Sequence, residues 1–345
     1  VNLHSLGFGQ FFMSQIEDYE QEIDKIARVL AVHKGVLEVH NGEISAQARL
    51  PESINMQPTV GDFVLLDGLL DSDSLAVKQV YERKSLLQRM AAGNRSQVQP
   101  IAANVDYALI VTSMNDEFNL SRLERYLLAI QESGATPVVV LSKQDLCDNP
   151  DDYIEQVERI ARGVQIIPIS APKKLGLDKL LSLLSPGATL VAIGSSGVGK
   201  STLVNYICGE DMQKTQAISF FDKGSHTTTS RQMLQAANGS LVIDTPGMRE
   251  FQPIVQAETI SEAFDDIESK MPHCRYRNCS HTVEDGCAIL KAIEAGDIDD
   301  RRWKNYQKMQ REQDRRNQAF KQNSKLRWKK VHLDMRQRKK MEDRS

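Results

Sequence analysis

The octapeptide Gly194-Ser-Ser-Gly-Val-Gly-Lys-Ser201 constrains this chain more than any other stretch. It matches GxxxxGK[ST], a loop that works only between a strand and a helix. The flanks comply: "ATLVAIG" is a continuous apolar run before it, and "KSTLVNYICG" reads as a helix after it. The glycines let successive backbone N–H groups turn inward around phosphate oxygens, at the positive end of the helix. The pattern assigns Gly194, Ser195, Ser196, Gly197, Val198 and Gly199 to the phosphate cradle. Lys200 bridges the β- and γ-phosphates, the Ser201 hydroxyl ligates Mg²⁺, and Thr202 follows in the first helical turn.

The surrounding texture extends this to a domain. "VDYALIVTS", "TPVVVLS", "VQIIPIS", "ATLVAIG" and "GSLVIDTPG" are apolar strands. Between them lie "NLSRLERYLLAIQES", "DDYIEQVERIARG", "GLDKLLSLLS" and "KSTLVNYICG", which read as helices. Buried strands alternating with helices imply a parallel sheet covered on both faces.

Ser142-Lys143-Gln144-Asp145 resembles the guanine reader Asn-Lys-x-Asp at a strand end. Asp145 would accept hydrogen bonds from guanine N1 and N2, and Lys143 would lay its stem along the nucleotide. Ser142 stands where Asn is usual, which puts a contact toward purine N7 in doubt. Ser170-Ala171 ends the next strand, where a backbone N–H can meet guanine O6. Two base-reading loops thus precede the phosphate loop, the reverse of the usual order. Circular permutation resolves this. The ordinary termini are joined between residues 172 and 190, and the chain is reopened after the last switch. Neighbouring strands and the site survive, because domain termini lie at the surface.

Asp244-Thr-Pro-Gly247 ends the last strand; Asp244 would hold Mg²⁺ through water and Gly247 would sense the γ-phosphate. In the hydroxyl-rich "GSHTTTSR", Thr228 or Thr229 would complete the magnesium shell, and spacing does not choose between them. Met248 follows Gly247 where many GTPases place a water-orienting Gln, so another group must hold the water. His226 is the nearest candidate. Met248 also leads the second switch straight into the C-terminal segment, an arrangement expected to pass γ-phosphate contacts on to it.

Cys274, Cys279, His281 and Cys287 fall in the pattern C-x4-C-x-H-x5-C. Four soft ligands suit closed tetrahedral Zn²⁺, a structural staple with no open position for catalysis. Five cysteines, an odd number, do not make a disulfide framework and point to a reducing cytoplasm. Cys147 and Cys208 read as ordinary thiols.

Residues 1–25 read as a polar helical leader, and 26–92 as short strands broken by Lys-Gly, Asn-Gly and Asp-Gly turns, the texture of a small OB-fold barrel. "QRMAAGNRSQVQPIAAN" reads as a polar connector. No apolar run approaches the ~18 residues that would span a bilayer, which excludes a helical membrane protein. The net charge of −3 hides an asymmetry: residues 301–345 carry 17 Lys/Arg against 5 Asp/Glu. Such an arm suits a polyanion, and Trp303, Tyr306, Phe320 and Trp328 interleaved with it tilt the reading toward RNA.

Together these residues resemble the RsgA (YjeQ) family of ribosome small-subunit-dependent GTPases. The likeness covers nearly the whole chain and includes "NVDYALIVTS", "NLSRLERYLL", "SHTTT" and "DTPGMREF". It implies a GTPase in late maturation of the 30S subunit, stimulated by that subunit and released after hydrolysis. The OB-fold and zinc module would contact 16S rRNA. Ser142 and the tail depart from the pattern. The expectation is a multidomain α/β protein: leader 1–25, OB-fold β-barrel 26–92, circularly permuted P-loop GTPase domain 98–254, and zinc-binding helical module with basic tail 255–345. It would be a cytoplasmic monomer using GTP with Mg²⁺. A P-loop ATPase or kinase, and an RNA-binding protein that only holds GTP, are the competing classes.

Overall fold

The computed structural model describes residues 2–91, 94–209, 232–244 and 254–342. The chain divides into two compact units: Val1–Arg89 with Pro100–Pro253, and Met90–Gln99 with Ile254–Ser345.

The first unit is organised by one sheet of eleven strands in the order β10-β9-β8-β11-β13-β12-β1-β2-β3-β5-β4. Its N-terminal part comprises β1 (Ile26–His33), β2 (Val36–His40), β3 (Ser45–Arg49), β4 (Phe63–Leu66) and β5 (Leu75–Val80). β4 also pairs antiparallel with β1, Ala27 opposite Val64, which closes these five strands into the expected barrel. Alternation fills it: Ala27, Val29, Leu37, Val39, Val64, Leu66, Leu75 and Val77 share its core.

The intervening residues of β1 and β4, Ile26, Phe63 and Leu65, point to the opposite face, where the leader lies. Expected to be polar, the leader instead contributes Leu3, Leu6, Phe8 and Phe12 to a buried cluster with Tyr81. Phe12 lies 4.5 Å and Phe8 5.0 Å, centroid to centroid, from Phe63. Its two short helices, α1 (Gln10–Met13) and α2 (Tyr19–Glu22), are too short to show apolar periodicity, and the burial comes from packing. Arg28 shares the outward face of β1 and is wholly buried. Its guanidinium donates to the carbonyls of Leu6, Gly61 (3.2 Å) and Asn104 (3.1 Å) and to Thr189 Oγ1 (2.8 Å).

The segment read as a connector is a two-stranded sheet of β6 (Leu86–Ala91) and β7 (Asn94–Ala103). The polar content of both extended runs disguised them as loop.

The nucleotide-domain strands are β8 (Tyr107–Ser113), β9 (Thr136–Ser142), β10 (Gln165–Pro168), β11 (Thr189–Ile193), β12 (Gln232–Gln235) and β13 (Leu241–Asp244). β10, β9, β8, β11 and β13 are parallel; β12 runs antiparallel to β13 and to β1. The helices are α3 (Leu120–Ser133), α4 (Pro150–Ile160), α5 (Leu177–Leu181) and α6 (Lys200–Cys208). Asn119 caps α3, accepting from Arg122 N at 2.9 Å, and Gly134 ends it at φ 84°. The second unit holds α7 (Ala257–Ala263), α8 (Asp265–Glu268), α9 (Ala288–Glu294) and α10 (Asp300–Glu342). Among the described residues, no helix is long and apolar enough to cross a membrane.

Candidate nucleotide site and metal-ligand cluster

β8 and β11 pair side by side at the centre of the sheet, Val191 opposite Ala108. This brings the phosphate loop, at the end of β11, against the end of β8. Gly194 has φ 144°, and a Cβ there would lie 2.2 Å from Val111 O, so only glycine lets the loop begin its turn. Val198 anchors the loop in the core, and Gly199, at φ 96°, opens α6. Ser196, Gly197, Ser201 and Thr202 are exposed along the rim. Lys200 Nζ folds back over the loop, donating to Gly194 O at 2.9 Å and to Ser195 O. Arg122, on α3, donates to the Ser195 hydroxyl. The motif reading did not single out Arg122, because 73 residues separate it from Ser195.

The residues predicted to read the base converge on the same end of the sheet. Ser142, the last residue of β9, is buried, and its hydroxyl donates to Val198 O at 2.6 Å. Lys143 sits in the left-handed region at φ 60°, which turns the chain sharply out of the strand. Gln144 N then bonds Ile169 O at 3.0 Å and ties this loop to the one after β10. In that second loop Ser170 pairs with Leu175, and Ala171 O accepts from Lys174 N at 3.2 Å. The Ser170 hydroxyl hydrogen-bonds the Asp145 carboxylate and, helped by Lys173, holds it below its ordinary pKa of 3.8 against the opposing effect of burial. Asp145 is therefore an anion at neutral pH, able to accept two N–H donors.

Asp244 is exposed at the C-terminal end of β13. The Cys208 thiol is pushed up to about 11 by burial and then by Asp244, so it stays protonated. His226, Thr228, Thr229, Gly247 and Met248 lie outside the described residues.

In the second unit the donor atoms of Cys274, Cys279, His281 and Cys287 all lie within 4.8 Å of one another. His281 Nδ1 is 3.5 Å from the sulfurs of both Cys274 and Cys287, which are 4.0 Å apart. Tetrahedral zinc with bonds of ~2.3 Å to sulfur and ~2.0 Å to nitrogen requires S···S near ~3.8 Å and N···S near ~3.5 Å. The residues fit the ion. His281 reaches this position at φ 57°. The Glu284 carboxylate shapes the turn around it by accepting from the N–H groups of Ser280 (2.7 Å), Thr282 (3.0 Å) and Val283 (3.2 Å). The Ser280 contacts, followed by the Thr282 N–H, hold Glu284 far below its ordinary pKa. His273 takes no part and hydrogen-bonds Ser269 O at 3.1 Å.

The aromatic residues beside the basic arm behave differently from the sequence reading. Trp303 and Tyr306 are buried, stacked at 5.7 Å, with Trp303 edge-on to His281 at 5.7 Å. Three residues apart on α10, they face inward together and form the module's core, leaving no free faces for bases. Phe320 is exposed.

A parallel sheet bearing a GxxxxGK[ST] loop, with the two loops predicted to read the base placed before it in the chain, has the architecture of a circularly permuted P-loop GTPase. The RsgA GTPase family model matches residues 80–254. An ABC transporter model matches residues 177–336, a span that contains the phosphate loop but neither base-reading loop. The small ribosomal subunit biogenesis GTPase RsgA 2 of Vibrio parahaemolyticus is 44% identical over 90% of this chain and 86% of its own. The corresponding protein of Opitutus terrae is 37% identical over the full length of both. Crystallographic YjeQ from Thermotoga maritima superposes with a TM-score of 0.59 at 26% identity, covering 84% of this chain and 98% of that one. YloQ, described as a circularly permuted GTPase, gives 0.57 at 25% identity, with 87% and 98% covered. The chain belongs to the RsgA GTPase family and is a GTP-hydrolysing enzyme.

Proposed function

We propose that this GTPase acts in the cytoplasm, as a single copy, on the maturing 30S subunit, where it contacts 16S rRNA and hydrolyses GTP to GDP and phosphate on stimulation by that subunit. The observation that carries the nucleotide part is the joining of both predicted base-reading loops to each other and to the phosphate loop, through Gln144 N–Ile169 O and Ser142–Val198. In this reading Asp145 accepts from guanine N1 and N2, the Ala171 N–H meets O6, and the stem of Lys143, with Gln144 beside it, flanks the base. Residues 194–199 wrap the phosphates, and Lys200 leaves its loop carbonyls for the β- and γ-phosphates. Ser201 and one of Thr228 and Thr229 would hold Mg²⁺ together with Asp244, while Gly247 would sense the γ-phosphate and His226 would orient the attacking water. When bound, Mg²⁺ would supply charge neutralisation at the transferring phosphoryl group. Cys274, Cys279, His281 and Cys287 would hold one zinc ion that staples the module.

The functional divisions follow the barrel (26–92), the permuted domain (98–254) and the zinc module with its arm (255–345). The arm's positive balance suits a phosphate backbone. Because Trp303 and Tyr306 are buried, these two rings would take no part in base stacking, and the arm would bind chiefly by charge.

The test is GTP hydrolysis by the purified protein alone and with 30S subunits, with 50S subunits and ATP as controls. Stimulation by 30S alone, for GTP alone, is expected. Equal turnover with and without ribosomes would remove the ribosomal assignment and leave the nucleotide site standing.

A further inference from the structure

The residue that departs from the guanine-reading pattern is the one most firmly engaged with the phosphate loop. Ser142 is 5% exposed at the end of β9, and its hydroxyl lies 2.6 Å from Val198 O and 3.3 Å from Thr112 O. Both neighbours are backbone carbonyls, which only accept. A serine hydroxyl carries one proton, and the shorter contact takes it. Purine N7 is also an acceptor with no proton of its own. A hydroxyl committed to Val198 can present only lone pairs toward N7, and two acceptors make no bond. An asparagine at this position would have two N–H donors and could serve both groups at once.

We propose that Ser142 is a positioning residue that clips the base-reading strand to the phosphate loop and leaves purine N7 unread. The inference rests on the reading of this site as a guanine-nucleotide site and adds to it which edge of the base is recognised. Recognition then rests on N1, N2 and O6, while Val198, just before the glycine that opens α6, is held from a strand 56 residues away in sequence. The clip fixes the phosphate loop before nucleotide arrives, so Ser142 acts on phosphate affinity and not on base selectivity.

The experiment measures equilibrium affinities of the full-length protein with Mg²⁺ for GTP, 7-deaza-GTP and ATP. In 7-deaza-GTP a C–H replaces N7. A neutral hydrogen bond of ~0.5–1.5 kcal/mol corresponds to about 2- to 12-fold in affinity. GTP and 7-deaza-GTP should therefore bind within about twofold of each other, and both far better than ATP. A tenfold preference for GTP over 7-deaza-GTP, at the upper end of about 2- to 12-fold, would overturn the inference while leaving guanine specificity intact. GTP binding no better than ATP would overturn the guanine site itself, and the inference with it. Two variants separate the roles. Ser142→Ala should weaken GTP and 7-deaza-GTP by the same factor, about 2- to 12-fold, keeping their ratio near one. Ser142→Asn should create a preference for GTP over 7-deaza-GTP of about 2- to 12-fold. Wild-type affinities in Ser142→Ala would refute the clip.

Discussion

Arg28→Met tests how the first unit is held together. The substitution nearly keeps the side chain's volume and removes every donor. In the native protein the guanidinium is fully buried over the Phe63 ring, 4.9 Å from its centroid. It joins the leader (Leu6 O), the barrel (Gly61 O) and the nucleotide domain (Asn104 O and Thr189 Oγ1). Burial lowers its pKa to about 10, opposed by Asp106 and Asp62, so it is charged at neutral pH. Gly61 O keeps a second donor, Asn104 Nδ2 at 3.0 Å, and the Thr189 hydroxyl can rotate. The Leu6 and Asn104 carbonyls lose the guanidinium donor, each at about 1–3 kcal/mol. Relief of the buried charge offsets part of this, and the net expectation is about 3 kcal/mol. In a unit of this size that lowers the midpoint of thermal unfolding by roughly 6–12 °C. Scanning calorimetry with and without GTP measures it, and limited proteolysis should show cleavage in residues 2–25 before any other change. A shift under about 3 °C, equivalent to roughly 1 kcal/mol, would refute the assigned role.

Three further outcomes are expected. Asp145→Asn loses charge-assisted bonds to guanine N1 and N2 and should weaken GTP at least ~100-fold, while xanthosine triphosphate, with an acceptor in place of N2, should gain; competition binding reads both. The Asp145 pKa lies below 3.8 in the folded protein, so its carboxylate is in place above that value, and GTP affinity should fall only as pH drops through the lowered pKa. Ser170→Ala removes the main cause of the lowering and should move that acid limb upward in a binding titration. Cys279→Ser removes one of four zinc donors; metal analysis should show the loss of bound zinc and proteolysis an opened second unit, with GTP affinity unchanged.

Motifs whose geometry is set by neighbouring residues were legible in the sequence. The phosphate loop needs glycines at fixed offsets between a strand and a helix, and the ligand cluster needs four donors within 14 residues; both are local demands. The order of base reader and phosphate loop was equally plain, because permutation moves strands along the chain without altering them. What escaped the sequence depends on distant partners. Ser142 looks like a lost contact until Val198, far along the chain, is placed beside it. Phe8 and Phe12 lie in a segment without periodicity and acquire meaning only from the outward face of β1 and β4. Trp303 and Tyr306 sit in a charged run, where composition suggested a surface and three-residue spacing against α8 makes a core; Tyr306 OH bonds Glu268 at 2.9 Å. Arg28 is the extreme case, since a charged residue inside a barrel strand gives no local sign of burial.

Closure of β4 onto β1 also governs how the molecule meets other chains. An open eleven-stranded sheet would present two unpaired rims, each a template for intermolecular strand addition. Here one end is consumed by the barrel, and among the described residues the remaining rim is β10, only four residues long and ending in Pro168. Proline has no N–H to donate, and so short a rim offers little ladder to extend. The eleven-stranded sheet thus carries its own protection against fibrillar association during synthesis and storage.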